Sequence, residues 1–249
     1  MRPLLLPALC AITLGYAALA EPPASAPPTA PATKGMTELS PGIRADVSAK
    51  AVEFDAEVIV NLSDPKRTVY LEVLACPRNT KEHESLVMTS VKPSMVHAAM
   101  LAAGFKPGAP VTWREEAGKS VPTPATGDPV RVEFRWTDPA SGEARSAGPL
   151  EWVKNSKTGE RASELKESGG FVFAGSVMVK KPTGGERYDA DDAGTLIGLA
   201  SFGSETVAWT RAFSPDSSVD APVWIADRER VPKIGTKVVV RLTPAPGGT

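Results

Sequence analysis

Both histidines and one of the two cysteines of the chain fall between Cys76 and His97. Cys76, His83 and His97, with a carboxylate from Glu82 or Glu84, would give the sulfur, imidazole and oxygen donors that zinc or copper takes. The spacing follows no standard zinc pattern and contains no His-x-x-x-His pair. A second chemistry is a thiolate at Cys76 activated by His83, because a neighbouring base promotes the nucleophilic form. A third use is structural. Glu72, Lys81, His83 and Glu84 can form a hydrogen-bonded network that pins the loop CPRNTKEHES, with Cys76 a small buried hydrophobe. A carboxylate at Glu72, inside an otherwise apolar run, needs a partner if buried; Lys81 or His83 supplies one when the loop folds back. Polar clusters in loops are more often structural than reactive, which favours this third reading.

Other motifs are incomplete. Asp189, Asp191 and Gly194 stand at loop positions one, three and six, as in calcium loops, but Ala200 occupies the place of the closing glutamate. A turn between strands is the expectation there. Trp113, Trp136, Trp152, Trp209 and Trp224 are spread along the chain, which suits core packing better than a sugar-stacking platform. There is no Gly-x-Ser-x-Gly, no P-loop and no dinucleotide fingerprint.

The elements that must position these residues read mostly as strands. Val130, Val132, Phe134 and Trp136 alternate with Arg131, Glu133 and Arg135, the period of two of a half-buried strand. Residues 51–62, 68–76, 171–180, 195–200, 206–209 and 236–242 are further candidates, with Gly184-Gly185 a hairpin turn. Pro93 suits a first helical position and Gly104 a stop, so a helix is predicted across Met95–Ala103, with Val96, Met100 and Ala103 on its sheet-facing side. The fold class predicted is α+β: a mostly antiparallel β-sheet with one well-defined helix packed on it.

At the N-terminus, Arg2, the apolar run to Leu14 and Ala18-Leu19-Ala20 form a secretory signal, so residues 1–20 are predicted to be removed after Ala20. Residues 21–37 are a Pro/Ala-rich linker. A single globular domain is expected over 38–244, with a possible break into two subdomains near 115–128, and a short tail over 245–249. Periplasmic or secreted localisation follows. No later run is apolar enough for a transmembrane helix. Lys and Arg total 28 against 29 Asp and Glu, without a basic block, which argues against nucleic acid as a partner. Loss of Cys10 with the signal leaves Cys76 alone, so stability must come from a core without an internal disulfide.

The run Leu71-Glu72, Cys76 and Thr80-Lys81-Glu82-His83-Glu84-Ser85, the Lys92-Pro93 helix ending at Ala103-Gly104, Phe173-Ala174-Gly175-Ser176, and Tyr188, Ala190-Asp191 and Gly194 together resemble the YdjY-domain family of exported bacterial proteins. The resemblance implies an envelope-associated domain and no particular activity. Ferredoxin-like relatives pair such a domain with iron–sulfur cysteines; one mature cysteine cannot hold a four-iron cluster, so none is expected here. The expectation is a non-enzymatic module that binds an envelope protein or a small ligand. The alternative is a zinc or copper protein using Cys76, His83 and His97.

Overall fold

The computed structural model describes residues 35–246. The predicted signal peptide and most of the linker lie outside the described residues. Eight strands make the body: β1 Ala51–Val58, β2 Val73–Pro77, β3 Ser85–Thr89, β4 Pro129–Thr137, β5 Phe171–Val172, β6 Ile197–Gly198, β7 Val207–Trp209 and β8 Lys237–Pro244. They are hydrogen-bonded in the order β1-β8-β4-β5-β7-β6-β2-β3, and β3 pairs back onto β1 through Glu57↔Met88 and Val58↔Val87. The sheet is therefore a closed eight-stranded barrel. Two of its pairings, β6 with β7 and β2 with β3, are parallel.

This corrects the α+β expectation. Strand accounts for 38% of the structure and helical turns of every kind for 12%, with two α-helices among them, so the architecture is mostly β and not a helix laid on an open antiparallel sheet. The local pattern had shown where strands lie; whether the first and last strands of a sheet meet depends on accumulated twist, which no local period reports.

Two strands divide their outer edge between two partners. The first half of β1 pairs with Ile43–Asp46 and its last residues with β3. The start of β4 pairs with β5 through Val130↔Phe171, whereas its end pairs with Ala144–Ala147 from Phe134 onwards. Between those two partners, residues 131–133 have no strand beside them on that edge among the described residues.

Alternation sorts the side chains. Val52, Phe54, Ala56, Val130, Val132, Phe134, Trp136, Val238, Val240 and Leu242 enter one continuous core. Trp152, from the short turn Pro149–Trp152, packs against Phe134 and Trp136 with ring centroids 5.0 and 5.2 Å away. On the opposite face, Arg44, Glu53, Arg241 and Glu133 align across four adjacent strands. Arg241 Nη1 donates to Glu53 Oε1 at 2.6 Å, and Arg44 and Arg135 lie at 3.9 and 3.6 Å from the same carboxylate, which is 1% exposed.

The helix α1, Pro93–Ala102, forms where the Pro93 and Gly104 signals place it, and buries Pro93, Val96, Ala99 and Met100 against Ile43–Asp46 and β1. Its N-cap is Lys92, which has no side-chain oxygen to offer the first turn. Asp191 does this from a distance: its carboxylate accepts from Ser94 N at 2.8 Å and Ser94 Oγ at 2.7 Å. Asp191 belongs to α2, Asp189–Ala193, so the calcium-like run is a short helix and not a turn between strands.

Candidate functional site

The loop after β2 is held by its own short polar side chains. Thr80 Oγ1 donates to Pro77 O at 2.7 Å, Ser85 Oγ to Lys81 O at 2.6 Å, and Glu82 accepts from the Asn79 and Thr80 amides. Glu72 sits just before β2, where its amide donates to Glu84 O at 3.1 Å and its carbonyl accepts from Ala200 N at 2.8 Å. Lys81 Nζ donates to Glu84 Oε1 and stands 4.1 Å from the centre of the Phe202 ring. His83 Nε2 is 3.6 Å from Glu84 Oε2, but the His83 side chain is 73% exposed. Burial, followed by repulsion from the Glu84 carboxylate, raises the pKa of Glu72. The structure thus brings Glu72, Lys81, His83 and Glu84 together.

It does not gather Cys76, His83 and His97. Cys76 is buried between Val73 and Met88, and burial pushes its thiol pKa up, away from the thiolate that a nucleophile or metal ligand needs. His97 points from α1 to Phe173 and Tyr188, with its Nδ1 2.9 Å from the Tyr188 hydroxyl. Among the described residues no group of three or more His, Cys, Asp or Glu side chains is placed to hold one metal ion. The alternative metal arrangement of Cys76, His83 and His97 is not assembled, because strand, turn and helix carry the three side chains to different environments.

His97 belongs to a different constellation. Tyr188 Oη lies 3.0 Å from Thr206 Oγ1, completing a His97–Tyr188–Thr206 chain. Burial lowers the pKa of His97, and Tyr188 is pushed above the ordinary phenol value by the same cause. Gly175 packs against this ring: a Cβ there would stand 2.7 Å from Pro107 Cβ and 3.4 Å from His97 Cε1, and its φ is +84°. Gly194 plays the matching part under the loop, where a Cβ would fall 2.6 Å from Thr80 Oγ1. Segments far apart in sequence are therefore locked on one side of the barrel by hydrogen bonds among themselves.

Glu205 lies behind them, fully buried. One oxygen accepts from the Phe202 and Gly203 amides; the other, Oε2, has no hydrogen-bond partner among the described residues. Burial raises its pKa.

A concave feature lies elsewhere. A cleft of about 330 Å³ opens at the fork of β4, where β5 and Ala144–Ala147 diverge. Val130, Val132, Leu150 and Phe171 form its apolar floor, Gly148, Gly169 and Gly170 its sides, and Arg131, Glu151 and Ser163 its polar groups. Ala245 and Pro246, at the start of the expected tail, also line it, held there by the Ala245 amide on Pro129 O at 3.1 Å. None of the candidate site residues named from the sequence (Glu72, Cys76, Lys81, His83, Glu84, His97) lies in it. The available signal was weak: an alternating strand followed later by Gly148-Pro149 and Gly169-Gly170, residues too small to fill a gap in the sheet.

A family model described as the YdjY domain matches residues 43–243, a span that includes all eight barrel strands except the last residue of β8. No curated protein and no solved structure matches the chain.

Proposed function

The chain belongs to the YdjY-domain family, and from that premise we propose that it is an exported, non-enzymatic binding domain that holds a small, mainly apolar ligand in the fork of β4. The observation that carries this reading is the cleft itself. Its volume of about 330 Å³ falls at the lower end of the range for small-molecule sites, and its floor is apolar with a few polar groups at the edge. Export rests on the signal-like N-terminal sequence, and the nearly balanced charge suits a small ligand better than a polyanion. On this reading Glu72, Lys81, His83 and Glu84 serve the loop that carries them.

The test is saturable binding of an apolar fluorescent reporter to the folded protein. Ser163 is exposed at the cleft, so Ser163→Trp fills it without disturbing the core and abolishes the signal, whereas His83→Ala leaves binding unchanged. Loss of binding in His83→Ala with retention in Ser163→Trp would move the site to the loop. Absence of saturable binding in the parent protein would end the cleft reading altogether.

A further inference from the structure

Charge is balanced over the whole chain, but not at the end of the barrel where β1 finishes and β8 begins. Residues 59–69 leave β1 there and residues 227–236 lead into β8; the Gly235 amide donates to Val58 O at 2.9 Å and holds the second loop at the exit of the first. Arg228 ties the two loops together. Its guanidinium donates to the carbonyls of Leu62, Asp64 and Arg67, the last two at 2.6 and 3.0 Å. Those acceptors are neutral, so Arg228 keeps its full positive charge. On the same two loops Lys66, Arg67, Arg230 and Lys233 are exposed, and none of these four side chains makes an ion pair or hydrogen bond among the described residues. The nearby acids offset little of this charge. Asp227 and Glu164 are matched by Lys154 and Arg161, which leaves Asp64 and Glu229 against five cations. One apolar side chain stands on the second loop: Ile234, in the turn closed by the Thr236 amide on Lys233 O at 3.1 Å, is 51% exposed.

We infer that this end of the barrel docks on an anionic phospholipid bilayer, with the basic side chains on the head groups and Ile234 entering the interface. Long, unpaired cations suit a fluid layer of phosphate groups, which demands no fixed geometry of them. Ile234 favours a membrane over a soluble polyanion, because a bilayer buries an apolar side chain whereas binding to a nucleic acid is driven by its phosphates. Each lysine or arginine near an anionic leaflet contributes about fivefold in partition. Burial of the exposed part of Ile234 contributes about as much. The inference goes beyond the cleft reading and does not depend on it; the export proposed above would bring the domain to such a surface.

The experiment is co-sedimentation of the chain from Glu21 onwards with vesicles of phosphatidylcholine alone or of equal parts phosphatidylcholine and phosphatidylglycerol. The expected result is partition onto the anionic vesicles only, lost as added salt shortens the screening length from about 10 Å at 0.1 M to about 3 Å at 1 M. Lys66→Gln and Lys233→Gln should each lower that partition about fivefold. Ile234→Ser should lower it about fivefold as well and leave the salt dependence in place. Lys180→Gln with Lys181→Gln, exposed on another hairpin, should leave it unchanged. Arg228 is left intact because it holds the loops. No partition onto anionic vesicles at low salt would overturn the proposal, and so would equal partition onto the two kinds of vesicle. An equal loss in the Lys180/Lys181 variant would show an effect of net charge and refute the patch. Partition unaffected by Ile234→Ser, together with tighter binding to a DNA duplex than to the vesicles, would replace the membrane by a soluble polyanion.

Discussion

Glu205 has two carboxylate oxygens, no exposed surface and, among the described residues, hydrogen-bond donors for only one of them. A buried charge without full pairing favours the protonated form, and burial duly raises this pKa. The consequence has a definite sign. The folded-state pKa stands above the unfolded value of about 4.3, so folding is unpenalised below that pH and loses stability as pH rises through the folded value. Glu205→Gln keeps an oxygen for the Phe202 and Gly203 amides and removes the charge. Urea unfolding should show the variant more stable than the parent by about 1 kcal/mol near pH 8 and no more stable near pH 4. A gap independent of pH would show that Glu205 is not the titrating group. Glu205 was invisible in the sequence, being one acid among 29 acidic residues. Glu72 was legible because its neighbours in the same run are apolar; for Glu205 the burying residues arrive from elsewhere in the chain.

At the scale of elements, α1 shows how local and distant causes combine. Pro93, the apolar spacing and Gly104 are enough to form it and to end it. Its first turn, however, depends on Asp191, from a short helix almost a hundred residues later. Asp191→Ala should therefore cost about 1 kcal/mol, as loss of a helix cap does, and lower the melting temperature by roughly 2–4 °C. Asp191→Asn, which keeps one acceptor, should cost less. Calorimetric melting of the two variants checks this, and an unchanged midpoint for Asp191→Ala would remove Asp191 from the capping role. The segment 171–180 illustrates the opposite case. It reads as one strand, yet the structure divides it into β5 and Met178–Lys180, with Gly175 and Ser176 both at positive φ between them. The divide lets the chain turn beneath His97 and Tyr188, a demand set by packing and not by the local pattern.

The whole molecule is held by closure. β1, β8 and β4 are the long strands, and together with Ile43–Asp46 beside β1 they carry the row Arg44, Glu53, Arg241 and Glu133, alternating in sign across four strands. Because Glu53 is 1% exposed and shared among three arginines, its removal leaves buried guanidinium charge without its acceptor. Glu53→Ala should destabilise the protein by about 3 kcal/mol, and the double variant Glu53→Leu with Arg241→Met should recover most of that loss. Denaturant unfolding measures both; a neutral Glu53→Ala would show the row to be ornamental. The same closure creates the cleft. Two partners compete for the outer edge of β4, neither covers residues 131–133, and the glycines around the fork leave the gap unfilled.

By itself the sequence determined the family resemblance, most of the strands and the limits of α1, because each rests on nearby residues or a short repeat. Only the tertiary structure decided that the sheet closes, that Cys76, His83 and His97 part company, and that Asp191 caps a remote helix. Those outcomes depend on twist summed over eight strands and on contacts between segments far apart in the chain. The fork of β4, on which the proposed function rests, belongs to that second group: it exists only because two strands that never meet in sequence share one edge.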